Sequence, residues 1–205
     1  MPGLIHTILM LQELNRCAFG AILPHDLHEV FKTAQTEIRR KGGDETRGIP
    51  PGELALVLVP LGELRVQQVV LASELLDQTS VVPAFSLTLA SLAGRPNATM
   101  PKSVVVELGG DRDRLIQFAQ VLRTQAANLF PLPDSPAFDA GLEIARLRSL
   151  NDKGRSDLGR ALRVAKFEHQ GTLTVDELSL LVMTAGAFGP EWQVHRSVRL
   201  AGSVG

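Results

Sequence analysis

The sequence predicts an α+β fold made of two related lobes. Residues 52–63 alternate as a strand does, with Leu54, Leu56 and Leu58 on one face and Ala55, Val57 and Val59 on the other. Residues 138–147 echo this pattern, with Leu142 and Ile144 facing one way and Gly141, Glu143 and Ala145 the other. Each segment follows an amphipathic helix and a loop rich in Gly or Pro. A helix–loop–strand arrangement therefore occurs twice within an irregular alternation of helices and strands.

The elements follow in order. Residues 17–23 are a short apolar run ending at Pro24, which reads as a buried strand. From Asp26 to about Arg40, Leu27, Val30, Phe31, Ala34 and Ile38 recur at helical spacing, and Gly42 and Gly43 end that helix. The strand at 53–60 is expected to stop at Pro60 and Gly62. Val66, Val69, Val70, Leu75 and Leu76 mark a second helix. Residues 85–90 and 103–108 read as strands flanking a polar loop. Asp111 is placed to cap a third helix carrying Leu115, Ile116, Phe118, Ala119 and Leu122. After the Pro-rich loop 131–136 and the echo strand, residues 151–155 read as a turn, with Ser156 capping a short helix that carries Leu158, Leu162 and Val164. Residues 173–183 and 192–200 are expected to form the last two strands.

Bulk composition narrows the function classes. At 205 residues, with 44% hydrophobic and 21% charged residues, the chain suits one sizeable globular domain. A formal charge of −1 provides no global field towards nucleic acid or membrane, and 4% aromatic residues with no tyrosine argue against an extensive base-stacking surface. The lone Cys17 excludes an internal disulfide and fits a reducing cytoplasm. Residues 4–11 are apolar but too short to span a bilayer, and they lack the basic start of a signal peptide. They are expected to be part of an extension, residues 1–16, that packs on the domain or forms a homodimer contact. Residues 17–200 would form the bilobal domain and residues 201–205 a tail.

The pieces together resemble the 2H phosphoesterase family, and within it the bacterial 2′-5′ RNA ligases (RNA 2′,3′-cyclic phosphodiesterases). The resemblance rests on Leu23-Pro24 followed at once by a helix, on residues 51–63 with their closing Leu61-Gly62-Glu63, and on residues 138–147 with Ala145-Arg146-Leu147. It continues through residues 171–181 and 189–200, and so covers about residues 17–200. It implies two antiparallel-sheet lobes facing a central cleft, with the helices outside. It also implies two His-x-Thr/Ser motifs facing each other across that cleft. One imidazole takes a proton from water, the other gives one to the leaving oxygen, and the hydroxyls hold the phosphate. At the matching positions this sequence has Ala55-Leu56-Val57 and Gly141-Leu142-Glu143. Losing a general acid or base costs roughly 10²–10⁴-fold in rate, and a carboxylate beside a phosphate adds repulsion of about 1 kcal/mol in water. The resemblance thus implies the fold and, in this chain, a protein without the family's activity.

The candidate cleft residues are Ala55, Val57, Val59, Gly141, Glu143, Ala145 and His195. Lys153 and Arg155, within a basic cluster that includes Arg160, Arg163 and Lys166, are candidate phosphate contacts, weighed against a solvated helix face. His25 and His28 stand at a spacing that suits a metal, but no third ligand is apparent, so no metal or cofactor is expected. Residues 168–177 lack the ligand series of a calcium loop, and the sequon Asn97-Ala98-Thr99 has no secretion signal to give it meaning. Three functions fit this pattern. They are a non-catalytic module binding a nucleotide, an RNA end or a protein, a diverged phosphoesterase using Glu143 with His195, and a structural homo-oligomer whose cleft is self-filled.

Overall fold

A computed structural model describes residues 15–41, 44–149, 151–169, 171–187 and 189–202. The apolar segment 4–11 lies outside the described residues. The chain folds into two antiparallel sheets with helices packed against them. The first sheet contains β1 (Asn15–Ile22), β3 (Ala55–Leu64), β8 (Glu177–Gly186) and β9 (Gly189–Arg199), in the order β3-β1-β8-β9. The second contains β2 (Thr46–Gly48), β4 (Phe85–Arg95), β5 (Ser103–Gly110), β6 (Gly141–Leu147) and β7 (Thr172–Val175), in the order β2-β6-β5-β4-β7.

β3 runs through Pro60 and Gly62 instead of stopping at them. It is an edge strand, and its pairing with β1 slips twice, from Cys17↔Gly62 to Ala18↔Pro60 and from Phe19↔Val59 to Gly20↔Val57. Leu61 and Leu58 are the extra residues in these bulges. A proline without an N–H is tolerated at an edge and at a bulge. The backbones are so close at the second slip that a Cβ on Gly20 would sit 2.3 Å from the Leu56 carbonyl oxygen.

Four helices follow the predicted apolar spacing. They are α1 (His25–Arg40), α2 (Val66–Asp77), α3 (Arg112–Ala127) and α4 (Asp152–Val164). α1 buries Leu27, Phe31, Ala34 and Ile38, a stripe at three- and four-residue intervals. Two predicted caps differ. Asp111 precedes α3, but its carboxylate accepts from the Ser86 backbone N–H at 2.8 Å and binds Arg114, tying the helix start to β4. α4 begins one turn earlier than expected, because Asn151 accepts from the Gly154 N–H and caps it in place of Ser156.

The single strand expected over 173–183 is two strands in different sheets. The chain leaves the second sheet after Val175 and enters the first at Glu177, and the Leu200 N–H donates to the Asp176 carbonyl at this crossing. Ala201, expected in the tail, bridges Pro83. One buried apolar cluster joins the sheets, with Phe19, Leu56 and Leu180 from one and Phe85, Val106 and Ile144 from the other. No described helix is long and apolar enough to cross a membrane.

Candidate functional site

β3 in one sheet and β6 in the other form opposite walls of a cleft of about 420 Å³. Ala55 and Val57 line one wall and Gly141 and Glu143 the other, which brings both motif-position pairs to a common space. Two other predicted cleft residues lie elsewhere. Val59 is fully buried in the core, because the bulge at Leu58 reverses the alternation and gives its place to Pro60. Ala145 is likewise buried, because the β5–β6 pairing slips from Val104↔Ala145 to Val105↔Glu143. The β6 bulge, at Ile144, turns Arg146 into the cleft.

Arg16, Glu53, Arg146, Met183 and Trp192 also line the cleft and were not singled out from sequence. A proline inside an alternating run was the available sign that β3 must bulge. Nothing comparable marks the bulge in β6. Arg16 and Arg146 face two carboxylates, Glu53 and Glu143, so the cleft is charge-balanced. Arg146 Nε donates to Glu143 Oε2 at 2.8 Å, and Nη2 bonds the same oxygen. This hydrogen bond is the main cause of a raised Arg146 pKa. Burial opposes it, and the charges of Glu143 and Glu53 support it. Arg16 has no carboxylate partner among the described residues, and its guanidinium carbon stands 5.8 Å from the centre of the Trp192 ring. Cys17 lies beneath the cleft floor, where burial pushes its thiol up to about 11. No described cleft residue is a histidine.

His195 lies outside this cleft, in a groove formed with α2. Lys153 and Arg155 lie on α4, away from the cleft lining. Lys153 bonds Asp157 at 3.0 Å, and Arg155 donates to the Met100 carbonyl at 2.7 Å. The His25 and His28 rings meet at a tilt of 45° with centroids 5.4 Å apart, and the buried His28 Nε2 has no hydrogen-bond partner among the described residues. Burial is the first cause of a lowered His28 pKa, with the charge of His25 second. No cluster of three or more His, Cys, Asp or Glu that suits a metal occurs among the described residues. Asn97 Oδ1 accepts from the Met100 N–H at 2.7 Å, and so closes a turn.

Solved structures share this fold. E. coli LigT in apo form is 21% identical, covers 92% of this chain and 99% of its own, and superposes with a TM-score of 0.65. The fold is that of LigT. A Thermus thermophilus protein, TT0787, shares it at 20% identity, covering 92% of this chain and 100% of its own with a TM-score of 0.68. E. coli LigT complexed with 3′-AMP matches at 22% identity over 92% of this chain and 99% of its own, with a TM-score of 0.63. At these identities the likeness to LigT is one of fold. No protein-family model matches the chain, and no curated protein does.

Proposed function

We propose that the protein is a non-catalytic nucleotide-binding module of the LigT fold, holding its ligand in the cleft between β3 and β6. The observation that carries this reading is the chemistry of the four facing positions. Ala55 and Val57 offer a methyl and an isopropyl group, Gly141 a hydrogen, and Glu143 a carboxylate already bonded to Arg146. None of these supplies the pair of proton-transfer groups that opening a cyclic phosphate requires. The cleft nevertheless keeps its volume, an apolar wall and an arginine, Arg16, without a carboxylate partner among the described residues. That combination suits a base lying against Val57, Pro60 and Met183, with an anionic phosphate on Arg16.

Solved structures of the same fold support this choice of ligand, since E. coli LigT has been crystallised with 3′-AMP, NADP+, ATP and phosphate. An RNA end presents the same phosphate and base. The lone, buried Cys17 suits a reducing cytoplasm.

The test pairs binding with turnover. Thermal melts with 3′-AMP, ATP, NADP+ and inorganic phosphate, each near 100 times Kd, are expected to show a rise of about 5–10 °C for at least one nucleotide. Incubation with a 2′,3′-cyclic nucleotide is expected to give no hydrolysis above buffer. Absence of any shift would remove the binding reading. Hydrolysis abolished by Glu143→Gln would instead establish a diverged phosphoesterase.

A further inference from the structure

Arg146 borders a second concavity as well as the cleft. This groove, of about 550 Å³, shares Ile49, Glu53 and Arg146 with the cleft and adds Arg47 and Arg148. Strand register explains the grouping. Arg47 of β2 stands directly opposite Arg146 of β6. Arg148 follows Arg146 by two residues, and its N–H donates to the Glu45 carbonyl at 2.9 Å, carrying the pairing past Leu147. Side chains alternate along a strand, so the three guanidiniums leave the sheet on one face, while the paired Thr46 and Leu147 are buried on the other. Arg47 and Arg148 are exposed, and neither has a carboxylate partner among the described residues. The Glu45 carboxylate, opposite Arg148, accepts instead from Asn151. Glu53 is the one acidic residue in the described lining of the groove, against three arginines. Basic residues commonly guard an edge strand, and β2 is one. That role does not call for arginine facing arginine, since like charges directly opposite cost stability.

We propose that this groove is a second phosphate subsite, so that the ligand held in the cleft is a nucleotide carrying two or more phosphate groups. The inference rests on the nucleotide reading for the cleft itself. Arg16 lines the cleft alone, Arg47 and Arg148 line the groove alone, and Arg146 borders both. One phosphate on Arg16 therefore leaves the groove arginines to another. Guanidinium groups match phosphate oxygens in pairs, and an anion between Arg47 and Arg146 relieves their repulsion. A monophosphate seated on Arg16 leaves that repulsion in place.

Calorimetry of the full-length protein with matched ligands tests the proposal. The pairs are 3′-AMP against adenosine 3′,5′-bisphosphate, and 5′-AMP against ATP. In at least one pair the ligand with added phosphate is expected to bind about tenfold tighter. In Arg47→Gln/Arg148→Gln that advantage should shrink to about twofold or less. Both side chains are exposed, so the variant is expected to fold, and circular dichroism checks that it does. No preference for added phosphate in either pair would overturn the subsite. So would a preference that survives the variant, or a loss equal for both members of a pair, which a general field would produce. If no nucleotide binds, the nucleotide reading fails by itself, and inorganic tripolyphosphate decides the groove. Binding of tripolyphosphate that is lost in the same variant would retain the groove as a phosphate site, whereas binding that is absent or survives the variant would overturn it.

Discussion

Arg16 and Glu143 set opposite signs for anion binding at the residue scale. Arg16 offers a guanidinium with no carboxylate partner among the described residues, and a charge-assisted hydrogen bond is worth about 1.5–3 kcal/mol. Arg16→Ala is therefore expected to weaken nucleotide binding roughly tenfold or more by calorimetry. Glu143→Gln removes a repulsive charge and releases Arg146, so affinity should rise by about fivefold. Equal effects of the same sign would place the phosphate elsewhere. Cys17 gives a pH prediction. Its thiol is pushed from 9.0 to about 11 by burial, so between those values the unfolded chain ionises while the folded one stays protonated. Stability is lost as pH rises through that window, by at most about 1.4 kcal/mol per unit. Urea midpoints at pH 7.5 and 10 should fall further in the parent than in Cys17→Ala, whereas parallel falls would mean that the thiol is not desolvated.

At the element scale, the caps show how local signals are reassigned by neighbours. Ser156 and Asn151 are both good capping residues, but only Asn151 stands where α4 meets the end of β6, and it also donates to Glu45 Oε2 at 3.3 Å. Asn151→Ala is expected to cost about 1 kcal/mol, while Ser156→Ala should stay within about 0.5 kcal/mol, both read from denaturant midpoints. A larger loss at Ser156 would return the helix start to the position expected from sequence. The bulges in β3 and β6 follow the same logic. Each inserts a residue that the core accepts, Leu58 and Ile144, and each thereby changes which later side chains reach the cleft.

For the whole molecule, the two sheets share one apolar cluster and are stitched by the crossing at Asp176 and the bridge of Ala201 to Pro83. A core that spans both sheets couples their unfolding. We expect a single cooperative transition, with Trp192 fluorescence, which reports on the first sheet, and far-ultraviolet circular dichroism, which reports on both, giving coincident curves. Separated midpoints would show that the sheets unfold independently.

Periodicity along the chain was enough to determine the helices and most strands, because burial of one helix face or one strand face is written as spacing between apolar residues. That Ala55 and Val57 stand opposite Gly141 and Glu143 was implied by the resemblance of their segments to the 2H phosphoesterase motifs, not by spacing. Tertiary structure decided the rest of the cleft. A bulge depends on what the partner strand and core will accept, so the burial of Val59 and Ala145 and the exposure of Arg146 were settled only by packing. The same holds for residues 173–183, expected from sequence as one strand, which serve two sheets because Leu173 and Val175 find partners on β4 while Leu178 and Leu180 fill the core beside β1. Arg16 and Trp192 meet at the cleft for a related reason. β1 and β9 both pair with β8, and nothing in the spacing of residues 16 and 192 along the chain records that shared neighbour.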